Sequence, residues 1–370
     1  MRSERARRLL LLSVGYGQGH HSAAAALAEQ FGHDGWVSRT VDVCAEAQPV
    51  AFRCTQKFYE LCVRRAPWLW GVTYSLTDTA DWARMVKRPL FAGLLRYTHE
   101  LLSSWEPDLI ICTYPLFAYM LDALKERGVQ VPPYTMLVTD AREISRPWMR
   151  SAAELVLVPD EGSRRMVMDR YALGGDMVLA PGFPVKRGFL PAQHRPAPDS
   201  ENLRILYGAY RQTQGVVNDV SAMLAAFPQL RLTVLAGSRM RILQRRFSAE
   251  CAAGRLVVLR ESESMHQLLR ESHFYIGKAG AATMFECYAS NVPLLVNFIL
   301  PGQEQGNLEL LLEDAAGCHV ESTAHLVNTL RSMLEHDAAG WRRMCAAMQS
   351  ADRSRAAARI ARIICHRFCL

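Results

Sequence analysis

The stretch Gly277-Lys278-Ala279-Gly280-Ala281-Ala282-Thr283-Met284-Phe285-Glu286, followed by Pro301-Gly302-Gln303-Glu304-Gln305-Gly306-Asn307, decides how this chain is read. The short apolar run His273-Phe274-Tyr275-Ile276 before it predicts a strand that ends in a glycine turn. Ala281 to Ser290 then reads as a helix, with Thr283 and Glu286 three residues apart on one face. The first N–H groups of such a helix are unpaired and sit at the positive end of its dipole, which suits an anionic diphosphate. Glu286, one turn further in, suits two ribose hydroxyls. A second strand, Pro293-Leu294-Leu295-Val296-Asn297, leads to Gln303, Glu304 and Asn307, whose side chains suit sugar hydroxyls. This is the layout of a nucleotide-sugar pocket, with Gly277, Lys278, Gly280 and Ala281 as its phosphate turn.

The joint motif G-K-A-G-x-x-T-x-x-E and P-G-Q-E-x-G-N resembles the sugar-nucleotide half of the diacylglycerol glycosyltransferases. That family contains the plant monogalactosyldiacylglycerol synthases and bacterial processive glucosyl enzymes, with the peptidoglycan N-acetylglucosaminyltransferase as a more distant relative. The resemblance covers residues 9 to 320 and implies an inverting transfer from a UDP-sugar. It also places Gly237 and Ser238, where relatives read G-[RK]-N, at the donor site, and retains Met265 in the nucleobase loop. In that loop Arg260-Glu261 replaces the family's Gly-Phe.

Composition sets the outer bounds. The 370 residues suffice for two domains; half are hydrophobic and 21% charged, which marks a globular chain. No apolar run reaches the length of a spanning helix. The start, Met1 to Val14, superficially imitates a signal peptide, but its short apolar part runs into a glycine turn and reads as the first buried strand. Ten cysteines without a C-x-x-C pair suggest reduced thiols in a cytosolic protein and give no zinc-ligand spacing. The net charge of +7 is unevenly placed, with arginine clusters at the front, around Arg239 to Arg246, and in the tail. Such clusters suit an anionic membrane face or nucleic acid, and no nucleic-acid motif accompanies them.

From the front, the apolar run Leu9 to Val14 predicts a central parallel strand. It feeds Gly15-Tyr16-Gly17-Gln18-Gly19-His20-His21 and an alanine-rich helix. A dinucleotide fingerprint would need a third glycine where His20 stands. In the resembled family this loop lines the acceptor cleft, which makes Gly17 and Gly19 acceptor residues and His20 the leading candidate for general base. An imidazole titrates near neutrality and can take a proton from an attacking hydroxyl. His21 stands where plant members carry arginine and receives no catalytic role.

Phe52 to Phe91 interleaves aromatic residues with Arg53, Arg64, Arg65, Arg84, Lys87 and Arg88, a pattern suited to a lipid interface. Trp68 and Trp70 resemble the family's segment beside the acceptor cleft; two core helices with ordinary tryptophans are the other reading. Tyr114-Pro115 follows a further strand, at the place where plant members have histidine before the proline. The Thr139-Asp140 pair matches the family and makes Asp140 a partner or substitute for His20. Ser145 replaces a family histidine, while Trp148 remains. The tail, Ala351 to Leu370, alternates arginine with Ala and Ile at helical spacing.

Strands alternating with helices in two halves predict an α/β chain of two Rossmann-like domains facing a central cleft, the GT-B architecture that the resemblance also implies. The expected division is 1–185, an acceptor domain onto which helix 351–370 packs back, and 186–350, the donor domain. The expected partners are a UDP-hexose, a lipid or hydrophobic acceptor of diacylglycerol type, and an anionic membrane surface, with no nucleic acid. The resemblance implies no cofactor and no essential metal, and no Asp-x-Asp motif is apparent, so the helix dipole is expected to carry more of the phosphate charge. The expected location is cytoplasmic, peripheral on the inner face of the membrane. A soluble glycosyltransferase acting on a hydrophobic small molecule, and a non-catalytic nucleotide-sugar-binding protein, share the donor motif and stay open at this level.

Overall fold

A computed structural model describes residues 5–15, 19–65, 76, 78–190, 195–199, 201–262, 264–300 and 304–370, with the side chains of 59–65 left aside. The chain forms two units. The first comprises Met1–Lys186, Pro301–Gly306 and Arg355–Leu370; the second comprises Arg187–Leu300 and Asn307–Ser354.

The first unit is built on six parallel strands: β1 (Arg8–Leu12), β2 (Val37–Val41), β3 (Leu109–Cys112), β4 (Tyr134–Leu137), β5 (Leu155–Leu157) and β6 (Val178–Leu179). Their order across the sheet is β2-β1-β3-β4-β5-β6. Leu9 to Leu12, Leu109 to Cys112 and Tyr134 to Leu137 are buried on both faces, which is why these strands read as unbroken apolar runs rather than alternating ones. Each fully buried leucine removes enough apolar surface from water to contribute about 2 kcal/mol. The chain leaves β1 to one side and returns to β3 on the other, so the β1/β3 edge is the switch point at which such sheets bind ligands.

The final helix, Ala356–Arg367, completes this unit by packing Ala356, Ala357, Ile360, Ala361 and Ile364 inward, against the helix Gly19–His33. Arg359 Nε donates to the Pro181 carbonyl at 3.1 Å. Gly182 is needed there: its φ is +106°, and a Cβ would stand 2.8 Å from the Ala356 methyl.

In the second unit the strands are β7 (Arg204–Gly208), β8 (Arg231–Leu235), β9 (Leu256–Leu259), β10 (Phe274–Lys278), β11 (Leu294–Phe298) and β12 (Gly317–His319). The order β12-β11-β10-β7-β8-β9 is the Rossmann order, with its switch point between β7 and β10. One face of this sheet, through Ile205, Leu232, Val234 and Leu256, packs with Val216, Val220, Met223, Leu326 and Leu330. The helix Thr323–Ser350 breaks at Glu335–Ala338, where His336, Asp337 and Ala338 all take positive φ. The indole N–H of Trp341 then donates to the His273 carbonyl at 2.8 Å, fixing the second segment to the start of β10.

The aromatic–basic stretch divides. Phe52 and Trp82 are buried in the first unit's core, correcting their reading as interfacial rings, because neighbouring apolar side chains already enclose them. Phe58, Leu76 and Leu90 stay exposed, at 47%, 66% and 73%. Trp68, Trp70 and Tyr74 lie outside the described residues. No helix among the described residues is long and apolar enough to cross a membrane.

Candidate active site

In the second unit, β10 ends in a register shift between Gly277 and Lys278 and hands over to the helix Ala281–Ser290. Gly280 is the N-cap, in extended conformation and without a side-chain capping bond; the first helical bond runs from Met284 N–H to the Gly280 carbonyl at 2.9 Å. The N–H groups of the first turn are therefore offered at the end of the sheet, beside the switch point. Gly277 has a packing reason of its own: a Cβ would come 2.7 Å from the buried Tyr275 ring, and one on Gly208 would come 2.6 Å from the same tyrosine's hydroxyl.

Around this opening, Thr283 is half-buried and Glu286 buried, one turn in. The Lys278 ammonium lies 5.6 Å from the centre of the Tyr210 ring. Gly237 takes φ +55°, opens the turn after β8 and donates to the Arg260 carbonyl at 2.8 Å; Ser238 beside it is exposed. Met265 begins the helix Met265–Glu271 and is half-buried. The Asn307 side chain is buried, and its amide donates to the Ala279 carbonyl at 2.9 Å, which holds the phosphate turn. Gln303 lies outside the described residues, and Glu304 is buried within the first unit.

Sequence reading did not anticipate the support beneath this turn. Asp219 is fully buried and accepts from Tyr207 (2.8 Å), Arg211 (3.0 Å), Thr323 (2.6 Å) and Asn297 (3.3 Å). These partners come from β7, the loop after it, the start of the helix Thr323–Ser350, and β11. One carboxylate thus ties together four elements that meet at the carboxyl ends of the strands.

In the first unit, His20, Tyr114 and Trp148 gather near the β1/β3 switch point. His20 sits at the start of the helix Gly19–His33 and is 6% exposed. Tyr114 meets its ring edge-on at 5.3 Å between centroids, and Trp148 lies tilted at 6.1 Å. His20 Nδ1 is 3.1 Å from the Thr139 hydroxyl, a partner the sequence pointed to only as the neighbour of Asp140. Asp140 is itself buried. Burial pushes the His20 pKa down to about 4; a hydrogen bond to the Thr113 backbone opposes the shift and the neighbouring His21 adds to it. The imidazole is therefore neutral near pH 7, and the same burial makes it a weaker base than a free imidazole.

His21 has a different task. Its Nδ1 is 2.9 Å from the buried Ser13 hydroxyl and its Nε2 is 3.8 Å from Asp42, whose carboxylate also accepts the Gly15 N–H at 2.9 Å. It braces the glycine loop from behind. Gly19 has nothing within 4 Å of a Cβ position, so no packing contact demands a glycine there, and Gly17 lies outside the described residues.

The monogalactosyldiacylglycerol (MGDG) synthase family model matches residues 20–185. A processive diacylglycerol beta-glucosyltransferase of Bacillus cytotoxicus is 24% identical over 346 residues, covering 89% of this chain and 86% of that protein. The enzyme of the same name from Bacillus mycoides is 23% identical over 349 residues, with the same coverage. Among solved structures, Acinetobacter baumannii MurG is similar with a TM-score of 0.59 at 14% identity, over 97% of this chain and 99% of that one. The kitacinnamycin glycotransferase reaches 0.62 at 12% identity, covering 97% and 99%. UDP-GlcNAc 2-epimerase from Neisseria meningitidis, solved with UDP-GlcNAc, reaches 0.58 at 13%, covering 96% and 99%. At these identities the structures establish the GT-B fold and nothing further. Motifs, fold and relatives agree: residues 20–185 are similar to the monogalactosyldiacylglycerol synthase family, and the whole chain is similar to processive diacylglycerol beta-glucosyltransferases.

Proposed function

We propose that the chain transfers a hexose from a UDP-sugar to the hydroxyl of a diacylglycerol-type lipid, with inversion at the sugar carbon. The observation that carries this reading is the helix Ala281–Ser290, opening uncapped at Gly280 beside the β7/β10 switch point with Glu286 buried one turn inside. Its free N–H groups stabilise charge that builds on the leaving diphosphate, Thr283 adds a hydroxyl donor, and Glu286 takes the ribose. His20, kept neutral by burial, removes the proton from the acceptor hydroxyl, with Thr139 setting the ring's orientation. Diacylglycerol as acceptor is supported by the full-length relatives, which carry that substrate in their names.

Attachment to an anionic membrane surface is supported by the exposed Phe58 and Leu90 and by the nearby cations Arg53, Lys57, Lys87 and Arg88. The test is a screen of purified protein with UDP-glucose, UDP-galactose and UDP-N-acetylglucosamine. Each donor is offered diacylglycerol in anionic vesicles and a panel of soluble aromatic alcohols, with products read by mass spectrometry. A glycosylated lipid is the expected product. Product only on soluble alcohols overturns the lipid assignment, and UDP binding with no product overturns catalysis.

A further inference from the structure

The second unit carries a cavity at the opposite end of its sheet from the candidate donor site, and the proposed transfer makes no use of it. Its volume is about 240 Å³, and Arg204, Arg231, Arg255, Thr233, Glu271 and Ser272 contribute to its walls. Arg204 and Arg231 open β7 and β8 and are direct partners in the parallel register. Adjacent strands run about 4.8 Å apart, so the two side chains leave the sheet side by side on one face. Arg255 holds the corresponding place before β9, where its carbonyl accepts the Leu232 N–H at 2.9 Å. From Arg204 to Gly208 at the donor end is the length of a five-residue strand, about 13 Å.

Three neighbouring guanidinium groups repel one another unless carboxylates or an anion stand between them. Among the described residues none of the three forms an ion pair. Arg204 and Arg231 are exposed. Arg255 is fixed: its Nη2 donates to the Leu224 carbonyl at 2.6 Å and the Phe227 carbonyl at 3.2 Å, while its Nε is buried with no partner. A buried donor left unpaired is costly, and an acceptor in the cavity would relieve the cost. Thr233, two residues on from Arg231 and on the same face, adds a hydroxyl. Glu271 is the single carboxylate among the lining residues.

We propose that this cavity binds a phosphate-bearing anion, clamped by Arg204 and Arg231 and reached by Arg255. Paired guanidinium forks match the geometry of phosphate oxygens, and three cations against one carboxylate suit a dianion. Two sources carry that chemistry: soluble phosphate or diphosphate, and the headgroup of an anionic lipid.

The experiment uses the purified full chain and the exposed-residue variants Arg204→Gln, Arg231→Gln and Glu271→Gln. Inorganic phosphate and pyrophosphate are titrated calorimetrically, and vesicles of phosphatidylglycerol are compared with vesicles of phosphatidylcholine by sedimentation. The urea-unfolding midpoint serves as the fold control and is expected to be the same in all three variants. Either arginine variant is expected to weaken binding about tenfold. Glu271→Gln is expected to tighten it roughly two- to fivefold by removing a competing charge. A response to phosphate or pyrophosphate that weakens in the arginine variants identifies a soluble anion bound in this cavity. A response to phosphatidylglycerol alone, lost in the same variants, identifies a headgroup. If no probe binds, or if every probe binds the arginine variants as it binds the parent chain, the proposal is overturned.

Discussion

His20 Nδ1 lies 3.1 Å from the hydroxyl of Thr139, across 119 residues of sequence. The contact fixes the ring of the candidate base, and the rings of Tyr114 and Trp148 close around it. His20→Ala is expected to lower kcat by about 10²- to 10⁴-fold while UDP affinity holds. Thr139→Val keeps the shape and removes the hydroxyl, and is expected to lower kcat about tenfold, with Thr139→Ser restoring most of it. Unchanged turnover in His20→Ala would remove the histidine from the chemistry.

Glu286 is buried near the opening of the donor helix. Glu286→Ala is expected to weaken UDP binding about 10- to 100-fold, the range for hydrogen bonds to a charged group. UMP should lose as much as UDP, because the ribose is common to both. A loss confined to UDP would instead place Glu286 against the diphosphate.

Asp219 supports the donor site from below. Removing it leaves the Arg211 guanidinium without its carboxylate and the Tyr207 and Thr323 hydroxyls without their acceptor, while Asn297 keeps only its bond to the Tyr207 hydroxyl. Asp219→Ala is expected to cost about 3 kcal/mol of unfolding free energy, measured by urea denaturation. The KM for the donor should rise as well, since β7, its loop and β11 lose their common anchor.

Acid should unfold the protein through two buried histidines. His20 and His273 both have pKa values lowered by burial to about 4, from an ordinary 6.5; Arg195 and Arg204 add to the effect at His273. Between those two pH values the unfolded chain binds protons that the folded chain refuses, so stability rises with pH across the window. It is complete above about 6.5 and is lost as pH falls towards 4, by up to about 3 kcal/mol per histidine. Thermal unfolding followed from pH 7 to pH 4 should show this slope, and His20→Gln should flatten the share that belongs to the first unit.

Within the first unit, Gly306 lies so close to the backbone at 141–143 that a Cβ would stand 2.1 Å from the Ala141 carbonyl oxygen and 2.7 Å from the Glu143 nitrogen. Neither atom belongs to a flexible side chain, so Gly306→Ala must push the backbone next to Asp140. A loss of activity greater than that of Gly19→Ala, whose Cβ position is open, is the expected result in a parallel assay.

The sequence alone determined the fold class and the position of the donor turn. Both are local properties: unbroken apolar runs such as Leu9 to Leu12 encode strands buried on both faces, and the glycine turn before Ala281 encodes a helix with an open start. It also marked His20, Tyr114 and Trp148, through a resemblance rather than through any spacing between them. Only the tertiary structure decided what these groups touch. Thr139 meets His20, Asn307 turns its amide to Ala279, and Asp219 collects donors from four elements, because folding brings together residues whose separation in sequence carries no signal. The same holds for Phe52 and Trp82, whose place in the core depends on neighbours that the amphipathic pattern of their own segment does not name. It holds again for the row of Arg204, Arg231 and Arg255, which exists only once three strands lie in register.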